Sequence, residues 1–171
     1  MDCRSLSTSM RAGRLRGDGE EIYADSGIFI AHLNGEEQYS AECADILEAA
    51  QAGLVELHTS YVSMTEVLKR RTESLRRGAD DERAVSEFMD EDFIRYSALE
   101  AVVASYARYV VWDTRAQVRD AIHLATAMQR NCEVFYTTDT RLLPRSGFVN
   151  SRLRLPEIKL PEYLRDPQLP L

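Results

Sequence analysis

Four acidic residues of this 171-residue chain stand where an α/β fold would bring carboxylates together. Asp25 follows a short apolar run, Asp120 begins a helix of small and apolar residues, and Asp139 follows a β-branched and aromatic run. Glu66 lies in the first two turns of another predicted helix. Carboxylates held together without a cation repel one another, and a divalent metal relieves that repulsion. The pattern therefore predicts a site for Mg²⁺ or Mn²⁺, which prefer oxygen ligands.

Such a site suits the hydrolysis of a phosphodiester. A bound metal lowers the pKa of a water molecule, positions the scissile phosphate and stabilises charge on the leaving oxygen, so no covalent nucleophile is needed. The four acids are the candidate catalytic and metal-binding residues. Hydroxyl groups beside them are expected to orient the carboxylates. These hydroxyls belong to Ser26, Thr137 and Thr138.

The elements that must position these residues alternate between strands and helices. Strands are predicted near 21–24, 54–57, 93–96 and 132–136, with a last edge strand near 153–158. Ser26 is predicted to cap the helix that follows the first strand, and Asn34-Gly35 is predicted to end it. This alternation favours a three-layer α/β/α fold with a central parallel sheet and right-handed crossovers. In open sheets of this kind, ligands collect outside the carboxyl ends of the strands, which is where Asp25 and Asp139 fall.

Basic residues lie close to the acids in the sequence. Arg119 precedes Asp120, where it could steady that carboxylate or contact a phosphate. The helix that carries Glu66 is predicted to run to about residue 77, and its later turns form either a solvated face or an RNA contact. That basic run is Lys69, Arg70, Arg71, Arg76 and Arg77. The net charge of −7 argues against bulk attraction to nucleic acid, but it does not exclude a local basic groove.

Length and composition predict a single domain at 21–159, between a flexible tail at 1–20 and an extended, proline-bearing tail at 160–171. No apolar run is long enough to cross a bilayer. The three cysteines include no CxxC pair, which suits a reducing cytoplasm. Trp112 is expected to pack against the core, and His123 is expected to be a buried, hydrogen-bonded histidine rather than a base.

Four motifs resemble the acidic blocks of the PIN domain family, especially its VapC-type toxins. They are A-D-S-G-I-F-I, S-M-T-E-V, R-D-A-I-H-L-A-T-A and Y-T-T-D-T-R-L-L. The resemblance covers about 22–143 and implies a metal-dependent ribonuclease whose acidic cluster is Asp25, Glu66, Asp120 and Asp139. It also implies a homodimer, and often an antitoxin whose C-terminal segment plugs the groove. Gly27 departs from the family pattern, which carries a bulkier residue there; this loosens the first helical turn.

Two other functions are weighed against this one. A catalytically silent PIN-like module would bind RNA or a protein through 69–77, but clustered carboxylates would repel phosphate and add nothing to such binding. A phosphoryl-transfer fold with an aspartyl nucleophile fits poorly, because Gly27 stands two residues past Asp25, where a dehalogenase-like site requires a second acid.

Overall fold

The fold is built on one parallel sheet. The structure is a computed structural model that describes residues 19–35, 38–67 and 79–164. Within that part of the chain the strands lie in the order β3-β2-β1-β4-β5, and every neighbouring pair is parallel. The strands are β1 (Glu20–Ala24), β2 (Val55–Ser60), β3 (Ile94–Ser97), β4 (Val134–Tyr136) and β5 (Glu157–Lys159).

Helices cover both faces of this sheet. They are α1 (Ser26–Asn34), α2 (Ser40–Gln51), α3 (Tyr61–Glu66), α4 (Ala79–Met89), α5 (Ala101–Thr114) and α6 (Val118–Gln129), with a 3₁₀ turn at Leu143–Arg145. Ile22 and Ala24 of β1 face a core that includes residues of α1 and α2, whereas Tyr23 faces a core that includes residues of α5 and α6. This alternation follows from the two-residue period of a strand. The predicted three-layer fold is confirmed.

Helix α1 begins directly at the end of β1 and stops where the sequence predicts. Asp25 is its N-cap, and the Asp25 side chain accepts a hydrogen bond from the backbone N–H of Gly27. Gly35, with φ of 66°, ends the helix in the left-handed conformation that glycine adopts without strain. The cap is therefore Asp25 rather than Ser26, which is the first residue of the helix.

Helix α3 is shorter than predicted. It ends at Glu66, and Val67 leaves the helical region with φ of −78° and ψ of 65°. The prediction of one continuous helix to residue 77 is therefore wrong at this point. The basic residues Lys69, Arg70 and Arg71, with Arg76 and Arg77, lie outside the described residues.

Trp112 does not pack against the core, and that prediction is wrong. Its side chain is 63% exposed, because the buried face of α5 is formed by Val103, Ala107 and Val110 at three- and four-residue spacing. Position 112 lies two residues past Val110, which rotates it away from that face. The Arg108 guanidinium covers part of the indole at 5.2 Å from the ring centroid.

The last strand lies at the sheet edge, as predicted, although it spans Glu157–Lys159 and pairs with β4 only. Pro156 precedes it, where the missing N–H removes no ladder bond. Among the described residues, every helix is too short or too polar to pass through a bilayer.

Candidate active site

Asp25 is held by donors from two segments at the carboxyl end of β1. Its Oδ1 accepts from the Gly27 N–H at 2.9 Å, and its Oδ2 accepts a short hydrogen bond from the Thr137 hydroxyl. Burial raises the pKa of Asp25 to about 6, although the bond from Thr137 and the nearby His123 act in the opposite direction. Asp25 is therefore a carboxylate whose charge is only partly compensated.

Thr137 links two of the acids. It lies just beyond β4 and is fully buried, and while its hydroxyl donates to Asp25 it accepts from the backbone N–H of Asp139 at 3.0 Å. One hydroxyl thereby fixes the orientation of the Asp25 carboxylate and the position of the Asp139 backbone. The neighbouring Thr138 places its Oγ1 close against Gly27, where an added Cβ would lie only 2.4 Å from it. A residue with a Cβ at 27 would therefore require the Thr138 side chain to shift.

Asp139 is clamped by a nearby arginine. The Arg141 guanidinium donates from Nε to Oδ1 at 2.9 Å and from Nη2 to Oδ2 at 2.6 Å. These bonds hold the pKa of Asp139 below its ordinary value. The Arg141 side chain is 71% exposed, so the clamp lies at the surface of the crevice, where an ion pair of this kind is weak and exchangeable.

Asp120 lies in the first turn of α6. Burial raises its pKa, and the charge of Asp139 raises it further, while Arg141 lowers it. The positive end of the α6 dipole opposes this by on the order of 0.3–1 kcal/mol. The pKa of Asp120 stays raised because Arg141, His123 and Arg119 do not offset the combined effect of burial and the charge of Asp139.

Glu66 reaches this crevice from the last residue of α3. Its Oε1 accepts from Nη1 of Arg119 at 2.8 Å, and its Oε2 lies 3.0 Å from Nε2 of His123. Burial alone would raise the pKa of Glu66. Hydrogen bonds from His123 and Ser26 more than offset that effect, so the pKa is lowered and Glu66 is ionised.

The predicted acids therefore line one crevice beyond the carboxyl ends of β1 and β4. Asp25 and Asp139 are joined through Thr137, Asp120 faces Asp139, and Ser26 and His123 connect Glu66 to the same place. In the described part of the chain, no three of these four acids bring oxygens within 4.8 Å of one another. A set of hard oxygen donors with raised pKa values at Asp25 and Asp120 fits a divalent cation.

A second group of side chains that could hold a metal ion lies nearer the amino ends of β1 and β2. Ligand atoms of Glu21, Glu56 and His58 lie within 4.8 Å of one another. Each of them is already paired, because Nε2 of His58 makes a short hydrogen bond with Glu21, and Arg95 contacts Glu56 at 2.8 Å. This group closes a polar network between neighbouring strands, at the opposite end from the crevice. The sequence did not single it out, because its members belong to two separated strands.

Two contacts of the crevice also escaped the sequence analysis. Arg141 stands two residues after Asp139, a spacing at which the two side chains can pair within one turn. The sequence therefore contained enough information to predict this ion pair. Nothing in the sequence indicated a role for Tyr23 near the acids, because its position in β1 is that of an ordinary core residue. Its hydroxyl lies 2.7 Å from Nδ1 of His123. His123 is buried and hydrogen-bonded, as predicted.

The raised pKa of Asp25 predicts a pH dependence of stability when metal is chelated. Folding favours the protonated carboxyl, since the pKa is about 6 in the folded chain against an ordinary 3.8. The resulting stability is complete below about pH 4 and is lost as the pH rises through about 6. From about pH 5 to about pH 7.5, wild type should lose about 1 kcal/mol of unfolding free energy relative to Asp25→Asn. Urea unfolding in EDTA measures this, and parallel curves for the two proteins would contradict the raised pKa.

Comparison with known proteins agrees with this architecture. The family model described as PIN domain matches residues 22–147. No curated protein sequence was found to match the chain. Among solved structures, VapC20 of Mycobacterium tuberculosis, described as a toxin that cleaves the sarcin–ricin loop, superposes with a TM-score of 0.57. It is 18% identical, and the match covers 78% of this chain and 98% of that one.

Two toxin–antitoxin complexes are also similar. VapBC2 of Rickettsia felis, solved with a fragment of promoter DNA, has a TM-score of 0.57 at 10% identity and covers 82% of this chain and 98% of its own. A complex from Klebsiella pneumoniae has a TM-score of 0.52 at 21% identity and covers 70% and 88%. At these identities the likeness concerns the fold.

Proposed function

The chain belongs to the PIN domain family, and from that premise we propose that it is a metal-dependent endoribonuclease that acts as the toxin of a type II toxin–antitoxin pair. PIN domains of the VapC type are nucleases that use divalent metals. The observation that carries the proposal is the set of acids near the carboxyl ends of β1 and β4: Thr137 bonds to Asp25 and to the backbone of Asp139, and burial raises the pKa of Asp25 and of Asp120.

In this proposal Asp25, Glu66, Asp120 and Asp139 would hold Mg²⁺ or Mn²⁺. When bound, the ion supplies an activated water and neutralises charge on the leaving oxygen. The residues of the chain do the positioning. Thr137 orients the Asp25 carboxylate, and Ser26 and Thr138 lie beside the ligands as further hydroxyl groups. In the hydrolysis that such a site would support, the water oxygen would bond to phosphorus as the P–O bond to the leaving oxygen breaks, and the leaving oxygen would take up a proton, without a covalent intermediate on the protein.

Arginines at the mouth of the crevice supply phosphate contacts. The side chain of Arg119 is 67% exposed and that of Arg141 is 71% exposed, and each now pairs with an acid of the site. Exposed pairs of this kind exchange partners at little cost, so a phosphate group can replace the carboxylate. We propose that Arg119 and Arg141 contact the RNA backbone, and that Lys69, Arg70 and Arg71, which lie outside the described residues, add further RNA contacts.

The proposed substrate is a structured cellular RNA, by analogy with the VapC20 toxin, which is described as cleaving the sarcin–ricin loop. The proposed partners are a cognate antitoxin, as in the two complexes that share the fold, and a second copy of the chain in a homodimer.

Calorimetry with Mn²⁺ separates the proposal from the alternative of a silent binding module, since a protein that binds no metal would favour the latter.

The deciding experiment is cleavage by the purified protein with and without metal. We expect ribosomal RNA to be cut in Mn²⁺ or Mg²⁺, and EDTA to reduce the rate by at least about a hundredfold, since the metal contributes several kcal/mol to the transition state. Restoring Mn²⁺ to the chelated protein should restore cleavage, which excludes irreversible loss of fold. Cleavage at full rate in EDTA would refute the metal-dependent mechanism.

A further inference from the structure

We propose that Tyr23 is a positioning residue that acts through His123 to aim the Glu66 carboxylate into the acidic crevice. This inference rests on the proposed nuclease function, and it concerns a residue that lies in the core rather than at the site. The juxtaposition that carries it is a continuous chain of hydrogen-bond partners from the middle of the sheet to Glu66.

The chain has short and well-defined steps. The Tyr23 hydroxyl lies 2.7 Å from Nδ1 of His123, and Nε2 of the same ring lies 3.0 Å from Oε2 of Glu66. Tyr23 is completely buried and stacks on Phe135 at 5.0 Å between ring centroids, with 8° between the ring planes. Neither ring can turn without disturbing the core. The position of the hydroxyl is therefore set by packing, and the imidazole follows it.

The hydroxyl of Tyr23 also decides which imidazole nitrogen carries the proton. A phenol carries a proton at neutral pH, and the Tyr23 hydroxyl lies where it can donate that proton to Nδ1 of His123. In the proposed arrangement Nδ1 of His123 accepts this bond, and the ring N–H that faces Glu66 is on Nε2. That N–H points at the Glu66 carboxylate. The other tautomer would set a nitrogen lone pair against a carboxylate oxygen, which is repulsive.

His123, rather than Arg119, sets the direction of Glu66. The Arg119 side chain is 67% exposed, whereas that of His123 is only 4% exposed. The arginine contact is screened by water and can be given up to a phosphate, but the buried histidine contact cannot be replaced by solvent. Tyr23 thereby keeps Glu66 in place when Arg119 leaves it.

The test compares Tyr23→Phe with Tyr96→Phe in the full chain. Tyr23→Phe removes the donor and keeps the stacked ring. Tyr96→Phe removes a tyrosine hydroxyl that also makes a 2.7 Å hydrogen bond, in this case to the backbone of Met89. We expect Tyr23→Phe to weaken Mn²⁺ binding in calorimetry by about tenfold and to lower kcat by a similar factor with little change in the KM for RNA. Tyr96→Phe should match wild type within about twofold.

A spectroscopic readout is independent of cleavage. The ring ¹⁵N resonances of His123 should show a protonated Nε2 and an accepting Nδ1 in wild type, and this signature should change in Tyr23→Phe. Unchanged Mn²⁺ affinity and an unchanged signature in Tyr23→Phe would overturn the proposal. So would a variant that loses thermal stability while its Mn²⁺ affinity and signature stay at wild-type values, because Tyr23 would then act through packing alone.

A second pair of variants decides the matter if Tyr23→Phe does not fold. In His123→Gln the side-chain amide can still donate to Glu66, whereas His123→Ala has no donor. We expect Mn²⁺ affinity to be closer to wild type in His123→Gln, and equal affinities would overturn the proposal. A wild type that binds Mn²⁺ but cuts no RNA would refute the nuclease function alone, since the affinity and ¹⁵N readouts would still decide the role of Tyr23. A wild type that binds no Mn²⁺ would overturn both.

Discussion

Replacement of Asp120 by Asn is expected to lower metal-dependent RNA cleavage by about a hundredfold or more. The carboxylate lies in the first turn of α6, which begins at Val118, and burial and the charge of Asp139 raise its pKa, so a bound cation would stabilise its ionised form. Removing it would weaken the hold on a metal ion that itself contributes several kcal/mol to the transition state. Initial rates on ribosomal RNA with Mn²⁺ measure the effect.

The same substitution should not destabilise the metal-free protein. Since burial and Asp139 disfavour the charge of Asp120 in the folded chain, a neutral amide should leave the melting temperature in EDTA equal or higher. The increase in melting temperature on adding Mn²⁺ should shrink. Asp113→Asn is the matched control, because Asp113 pairs with Arg152 at 2.9 Å, outside the acidic crevice. Cleavage by Asp120→Asn at the rate of Asp113→Asn would remove Asp120 from the mechanism.

Truncation of Phe135 is expected to have the largest effect on stability. Phe135 occupies the centre of β4, is fully buried and stacks on Tyr23. Phe135→Ala should cost about 3–5 kcal/mol of unfolding free energy, because it removes buried apolar surface and leaves a cavity between the sheet and α6. Urea unfolding at neutral pH, with the slope compared to wild type, measures that loss.

Trp112→Ala provides the contrast. This indole is larger than the Phe135 ring, but it is 63% exposed on α5. We expect its removal to cost less than about 1 kcal/mol, since little of its surface leaves water on folding. Equal losses in the two variants would mean that Trp112 is covered, and the exposed position described above would be wrong.

Local sequence patterns predicted much of the fold. Periodicity and turn residues located α1 and its end at Gly35, and they placed Asp25 and Asp139 just beyond buried strands, because these features depend on neighbours only a few positions apart. The same local reasoning failed at α3, where the helical sequence pattern continues past Glu66 but Val67 already has a non-helical backbone conformation. It also failed at Trp112, where an apolar residue type was taken as a sign of burial and the phase of α5 decided otherwise.

The sequence by itself determined the order of strands and helices and the positions of the four acids along them. Both depend on the spacing of residues only a few positions apart. Only the tertiary structure decided how those acids are held. Thr137 bonds to Asp25 across 112 positions, Tyr23 meets His123 across 100, and Arg119 meets Glu66 across 53. Such pairs form because parallel crossovers bring distant segments to one edge of the sheet. Whether two groups then form a hydrogen bond depends on differences of a few tenths of an ångström in their separation, which the spacing of residues in the sequence does not specify.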